Sequence, residues 1–480
     1  MKTCTILAAT AMLTAASLFS CAPQKNTVAT VAGGSAGAAA GGKIDPPVAA
    51  ASQGGMTSGH AGSTAGSGAP SITGGTGSDS NPPLTGLGGS GGAFDNSGGA
   101  FDSSGGAFDN PGGNSSGGGV TASAGGPGGI RGSGDGRFGS KVDYPVGERP
   151  VSLALGDFDA DGKLDVAVTN SDVDTVSVLL GNGDGTFAAK VDNATGDDPF
   201  SVALGDFNAD GKLDIACANT SSGTVSVLLG KGDGSFAAKI DYGTAGRPYS
   251  VALADLNGDR KLDIATADNG SSKVSVLLGK GDGTFAAKTD YTTGNEPNSL
   301  AIGDLNGDGA LDLATTSSSS GTVSVLLGTS GGKFAAPNEF SVGNGPQLLV
   351  LGDLNADGKL DIATASAYAT AVSVLLGTGD GNFGVHVEYE TASYPISLAL
   401  ADLNDDATLD IVAAATFGNS VSVLLGTGGG AFAPKIDYPT AINPNSVALG
   451  DLNADGTLDL ATANYGSASV SVLLGSGQPK

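Results

Sequence analysis

The sequence predicts an all-β fold: a seven-bladed β-propeller with four-stranded blades, closed by the N-terminal strand and preceded by a disordered linker. Three observations predict it. An acidic loop recurs seven times at a fixed spacing of 49 residues. Each repeat holds four short β-compatible runs parted by turn chemistry, with no helical period. The patterned region opens on a lone fourth run and stops after a third one. A fixed period of this size marks one supersecondary unit that buries its faces by stacking on its neighbours.

Residues 1–20 read as an export signal. Lys2 gives a basic start, and Thr5 to Ser20 is a mostly apolar stretch too short to span a membrane comfortably. Leu18-Phe19-Ser20-Cys21 resembles a bacterial lipobox, which implies lipidation of Cys21 and a membrane tether through that lipid. An ordinary secretory signal is the alternative. Either reading puts the mature protein outside the cytoplasm, at the bacterial envelope or beyond it. Residues 21–130 are Gly, Ser, Ala, Thr, Asn and Pro, which cannot bury enough apolar area to offset chain ordering. They predict a disordered tether with a reach of about 50–60 Å. Gly-Gly-Ala-Phe-Asp recurs there at Phe94, Phe101 and Phe108. Slippage of a coding unit accounts for it, with partner binding as the alternative.

The propeller is expected over residues 131–480. In the second unit, Ser201 to Phe207 is the first strand, followed by the acidic loop. Leu213 to Asn219 is the second strand, Thr220-Ser-Ser-Gly223 a turn, and Thr224 to Gly230 the third strand. Lys231-Gly-Asp-Gly-Ser235 is a hairpin turn, since Asp-Gly readily takes positive φ, and Phe236 to Tyr242 is the fourth strand. Phe138, Phe187, Phe236 and their four successors keep the same period, as do the prolines from Pro150 to Pro444. Gly134 to Tyr144 is then the missing fourth strand of the last blade, which pairs the two ends of the domain and leaves few open edges. Of the cysteines, Cys4 leaves with the signal and Cys217 is left unpaired. Cys217 stands where sister repeats carry Thr or Ala and reads as a small buried residue.

Each loop offers oxygen ligands at alternate positions and a Gly for a sharp turn, which is the grammar of a calcium site. The candidate ligands at loop positions 1, 3, 5 and 9 are Asp157, Asp159, Asp161 and Asp165 in the first loop. They are Asp206, Asn208, Asp210 and Asp214 in the second, and Asp255, Asn257, Asp259 and Asp263 in the third. Asp304, Asn306, Asp308 and Asp312 serve the fourth, and Asp353, Asn355, Asp357 and Asp361 the fifth. Asp402, Asn404, Asp406 and Asp410 serve the sixth, and Asp451, Asn453, Asp455 and Asp459 the seventh. Up to seven Ca²⁺ are expected. Asn at position 3 lowers the anionic charge, so affinities of about 10⁻⁴–10⁻³ M are expected. Arg260 and Ala407 replace the turn Gly and are expected to strain a left-handed position. The net charge is −26, and 22 of the 48 Asp and Glu sit at these ligand positions, so much of the acidity is counter-charge for metal. An acidic chain argues against nucleic acid.

Asp-x-Asp/Asn-x-Asp-Gly-x-x-Asp once per blade resembles the FG-GAP or VCBS-type repeat, over Gly134 to Gly475. Phe-Gly survives literally at Phe138-Gly139 and Phe383-Gly384. The resemblance implies a ring with structural calcium on one rim and ligand binding on the opposite face. On that face the sequence puts Arg149, Asp198, Arg247, Glu296 and Tyr394 just before the blade prolines, and Phe200 and Tyr249 just after. Tyr368, Phe417 and Tyr465 lie in the neighbouring loops. Varied residues at fixed frame positions suit a recognition surface for an extracellular protein or glycan. Drift in exposed loops is the alternative. A ring of aromatics there could stack on sugars, and the lack of any Trp only mildly weakens a lectin reading.

No catalytic centre is expected. The two histidines, His60 and His386, do not recur, and no zinc, phosphate-loop or protease motif is present. The leading reading is a tethered, calcium-stabilised recognition or adhesion module, acting as a monomer. An enzyme of extracellular polysaccharide and a passive surface protein are the alternatives.

Overall fold

The computed structural model describes residues 134–477, all within the compact unit Phe101–Lys480. The expected signal, Cys21, His60, the linker and its Phe94, Phe101 and Phe108 lie outside the described residues. Among the described residues there is no helix, and seven four-stranded antiparallel sheets form the blades. In the first blade the strands are Pro150–Gly156, Asp165–Asn170, Thr175–Leu179 and Val191–Ala194, paired in that order. The first strand carries a register shift just after its proline, and every blade repeats it.

Burial follows position in the blade. The first and second strands of the first blade are buried along their whole length, while Val191–Ala194 is exposed except at the half-buried Asn193. Both faces of an inner strand are apolar because both pack on neighbouring blades. One face presents small residues and the other large ones. Ala154, Ala167, Val176 and Val178 of the first blade meet Val202, Leu204, Ile215 and Cys217 of the second. Cys217 is thus the small buried residue that its position predicts. Full burial of a side chain such as Ile215 stabilises by about 1.5–3 kcal/mol.

The ring closes as the sequence predicts. Val142–Pro145 pairs with Ser469–Leu473, with Val142 opposite Val472 and Pro145 opposite Ser469. Gly139 N donates to Leu474 O at 2.8 Å, and Ser471 Oγ donates to Asp143 at 2.6 Å. The Ser177–Asp192 pair makes the same bond inside the first blade. The first strands also stand side by side around the centre, with Pro150–Gly156 against Pro444–Gly450. A belt of buried serines links them. Ser152 Oγ accepts from Val202 N, Ser201 from Val251 N, and Ser446 from Leu153 N across the closure, at 3.2–3.3 Å.

One element differs from expectation. The fourth strand of the second blade is Ile240–Gly243, shorter than Phe236 to Tyr242. Phe236 instead forms an isolated bridge with Gly230. Its ring turns across the blade boundary to meet Phe158 edge-on at 5.6 Å, and the ladder breaks behind it.

Candidate metal centre and opposing face

The acidic loop joins the first and second strands of each blade. Its carboxylates converge because they accept the loop's own N–H groups. Asp157 accepts from Asp161 N at 3.2 Å and Gly162 N at 2.9 Å. Asp159 accepts from Asp161 N at 3.2 Å. Two left-handed residues, Ala160 at φ 59° and Gly162 at φ 83°, curl the chain around them. In the third and sixth loops Arg260 at φ 63° and Ala407 at φ 68° take the same left-handed turn. Their N–H groups still donate to Asp255 at 2.6 Å and Asp402 at 2.9 Å. All seven loops therefore share one backbone, with the expected strain where Arg260 and Ala407 replace the turn Gly.

Position 9 differs from the others. Asp165 is fully buried and accepts from Phe158 N and Gly181 N, each at 2.7 Å. It ties the acidic loop to the third-strand exit of its own blade. The chain approaches so closely there that a Cβ on Gly181 would lie 2.2 Å from Leu164 O. Burial pushes the Asp165 carboxyl up to about 6, beyond what its N–H bonds pull back, and nearby Asp159 and Asp157 add to the rise. Asp214, Asp263, Asp361, Asp410 and Asp459 behave alike, and Asp312 is also raised.

Carboxylate oxygens of Asp157, Asp159 and Asp165 lie within 4.8 Å of one another. A hard-oxygen set of this kind suits Ca²⁺ better than a softer metal. Asp161 lies outside this cluster. Its carboxylate pairs with Lys163 at 2.7 Å, and that bond holds it below the usual range. Asp210, Asp259 and Asp357 pair in the same way with Lys212, Lys261 and Lys359. In the other loops the position-3 amide takes the place of Asp159, with Asn208 accepting from Asp210 N at 2.9 Å. The rim is also stitched between blades. Gly234 N of one hairpin donates to Phe158 O of the preceding acidic loop at 3.1 Å, and Gly185 N to Leu452 O at 3.0 Å across the closure.

The opposite rim carries the varied side chains, and they gather into three groups. The Arg149 guanidinium donates to Asp172 at 2.6 Å and to the Tyr465 hydroxyl, 4.6 Å above that ring. Phe200 and Tyr249 stack at 4.6 Å, and Arg247 donates to the Tyr249 hydroxyl at 3.3 Å. Tyr394 lies between Tyr368 at 5.7 Å and Phe417 at 4.5 Å. Burial and the adjacent Tyr368 push the Tyr394 hydroxyl up to about 12. The outer two rings are 59% and 64% exposed. Arg149, Asp198, Glu296 and Tyr394 all have left-handed backbones, so the junction frame aims these side chains whatever their identity. The sequence reading missed Asp172, Asn269, Asn298 and Gln347 on this rim. For the last two the available signal was their place, 49 and 98 residues after Tyr249.

FG-GAP-like repeat models match residues 157–217, 206–266, 255–315, 304–364, 353–413 and 402–462. No curated protein matches by sequence. Among solved structures, hydrazine synthase of Kuenenia stuttgartiensis is similar at TM-score 0.50 and 15% identity, covering 70% of this chain and 98% of that one. BBS1N, solved in complex with ARL6DN, is similar at TM-score 0.50 and 10% identity, over 72% and 98% of the two chains. An Agrocybe aegerita lectin that recognises terminal N-acetylglucosamine gives TM-score 0.47 at 20% identity, over 71% and 98%. At these identities the likeness is one of fold alone. The tandem match across most of the ring, on the same loops that build its acidic rim, makes this chain a member of the FG-GAP-like repeat family.

Proposed function

We infer that the protein is a calcium-stabilised, envelope-tethered module that recognises an extracellular ligand through the face opposite its acidic loops. At a coarse level, the FG-GAP propeller fold supports a recognition or adhesion type of role. One observation carries the finer reading: the varied residues of that face gather into clusters of aromatic and arginine side chains at fixed frame positions. Clustered aromatics and Arg are the usual anchors of a binding surface.

Calcium would be held by loop positions 1, 3 and 9, joined by position 5 once it is released from its lysine in the four loops that have one. It would neutralise the converging carboxylates and fix the loop. Cys21 would carry the lipid tether. The proposal takes the chain as a monomer, without a nucleic-acid partner; closure of the ring by its own strand is compatible with that. The reading assigns no catalysis; His386 sits at the outer edge with Nδ1 3.1 Å from Ser341 O. The test is binding of the full chain to arrays of glycans and matrix proteins, with calcium and with chelator. Calcium-dependent binding is expected. A folded protein that binds nothing in either condition contradicts the reading.

A further inference from the structure

The recognition reading above leaves the ligand class open, and this inference rests on that reading. We propose that blades three to six carry a groove for a neutral oligosaccharide, formed by an amide relay and a row of aromatic rings. The relay begins at Asn269, whose Nδ2 donates to Asn298 Oδ1 at 2.8 Å. Asn298 Nδ2 donates to Gln347 Oε1 at 3.1 Å. Gln347 Nε2 donates to Gly345 O at 3.2 Å. The Tyr368 ring lies directly on Gly345, where a Cβ would come within 2.2 Å of Tyr368 Cδ2. Tyr368 then meets Tyr394, and Tyr394 meets Phe417. Polar and aromatic groups thus form one continuous arc over three blade junctions.

The chemistry of this arc suits a sugar. A primary amide has two N–H donors and two acceptor lone pairs, and each relay bond uses only one of each. What is left is a file of paired donors and acceptors, matching vicinal hydroxyls that both donate and accept. The exposed faces of Tyr368 and Phe417 can cover the C–H faces of pyranose rings, as aromatics commonly do in ligand sites. The relay orients the amides in advance, and Gly345 fixes the first ring, so little ordering remains to oppose binding. The arc itself carries no charge, and the net charge of −26 repels acidic polymers. A neutral glycan fits these conditions better than a protein, which would need a broader apolar centre.

The test is calorimetric titration of the full chain, in calcium, with cello-, laminari-, malto- and chito-hexaose, alongside polygalacturonate and a matrix-protein array. Binding to at least one neutral hexaose is expected. Tyr368→Ala and Gln347→Leu should each weaken it by about tenfold or more, with melting unchanged. Lys333→Ala, at an exposed site in the fourth blade's outer hairpin, where Lys333 pairs with Thr329 on the acidic-loop side, should bind as the parent does. Neutral-sugar binding that both groove variants leave intact overturns the groove. Binding to polygalacturonate alone, or to a protein alone, overturns the neutral-glycan assignment while the recognition reading stands. Silence from every probe overturns both.

Discussion

At position 6 of the acidic loops, five glycines, Arg260 and Ala407 adopt the same left-handed backbone. An L side chain there costs about 1–2 kcal/mol, partly offset by the chain entropy that glycine loses on folding. Nothing lies within 4 Å of a Cβ built on Gly162, so the penalty is conformational and not steric. Ala407→Gly should therefore stabilise the ring by about 0.5–1 kcal/mol, read from denaturant midpoints; a loss of stability contradicts this. Position 9 sets the pH response. Burial raises Asp165 and five of its counterparts from 3.8 to about 6. A carboxyl raised in the folded state favours folding while protonated. That contribution is full below about 3.8 and lost as pH rises through about 6. In the proposed reading, calcium would bind the charged form and offset the loss. The gain in melting temperature from calcium should thus be larger at pH 7.5 than at pH 5. Equal gains contradict the assignment of position 9 as a ligand. The sequence showed position 9 as an acid but not its burial, because its N–H partners come from two separate segments.

Among the strands, Val142–Pro145 matters most to the closure. It supplies the outer edge of the last blade through Val142 to Pro145, while Ser476 N bonds Arg137 O at 2.8 Å beside it. Deleting residues 138–144 should expose the Ser469–Leu473 edge and lower the melting temperature by at least about 5 °C. An unchanged melting temperature contradicts the closure. This strand was legible in the sequence because the repeat phase left one fourth strand over at the start and none at the end. The shortened fourth strands were less legible. Phe236 reads as a strand residue by composition, yet its place is fixed by Phe158 of the preceding blade. The serine belt was hidden for a related reason. Ser152 and Val202 are 50 residues apart, and only stacked blades bring a hydroxyl to that N–H.

Across the whole ring, the two rims divide the work. On one, the acidic loops repeat their candidate ligands in every blade, and five of the loops accept a backbone bond from the next blade's hairpin. On the other, frame positions are kept while side chains vary from Phe200 to Gln347. The period made the first rim readable from sequence and named most aromatics of the second. It did not reveal the amide relay. Asn298 and Gln347 look unremarkable in the chain, and the stacking of adjacent blades is what brings equivalent positions into contact. The central claim is that the acidic rim holds calcium and that calcium holds the ring. Each site at tenfold excess over its dissociation constant would add about 1.4 kcal/mol. The most direct measurement is a calorimetric calcium titration of the full, metal-stripped chain, followed by melting of the same samples. The account predicts saturable binding at about 10⁻⁴–10⁻³ M and a melting temperature that climbs with occupancy. No binding up to about ten times that range, with superimposable melting curves, would contradict it.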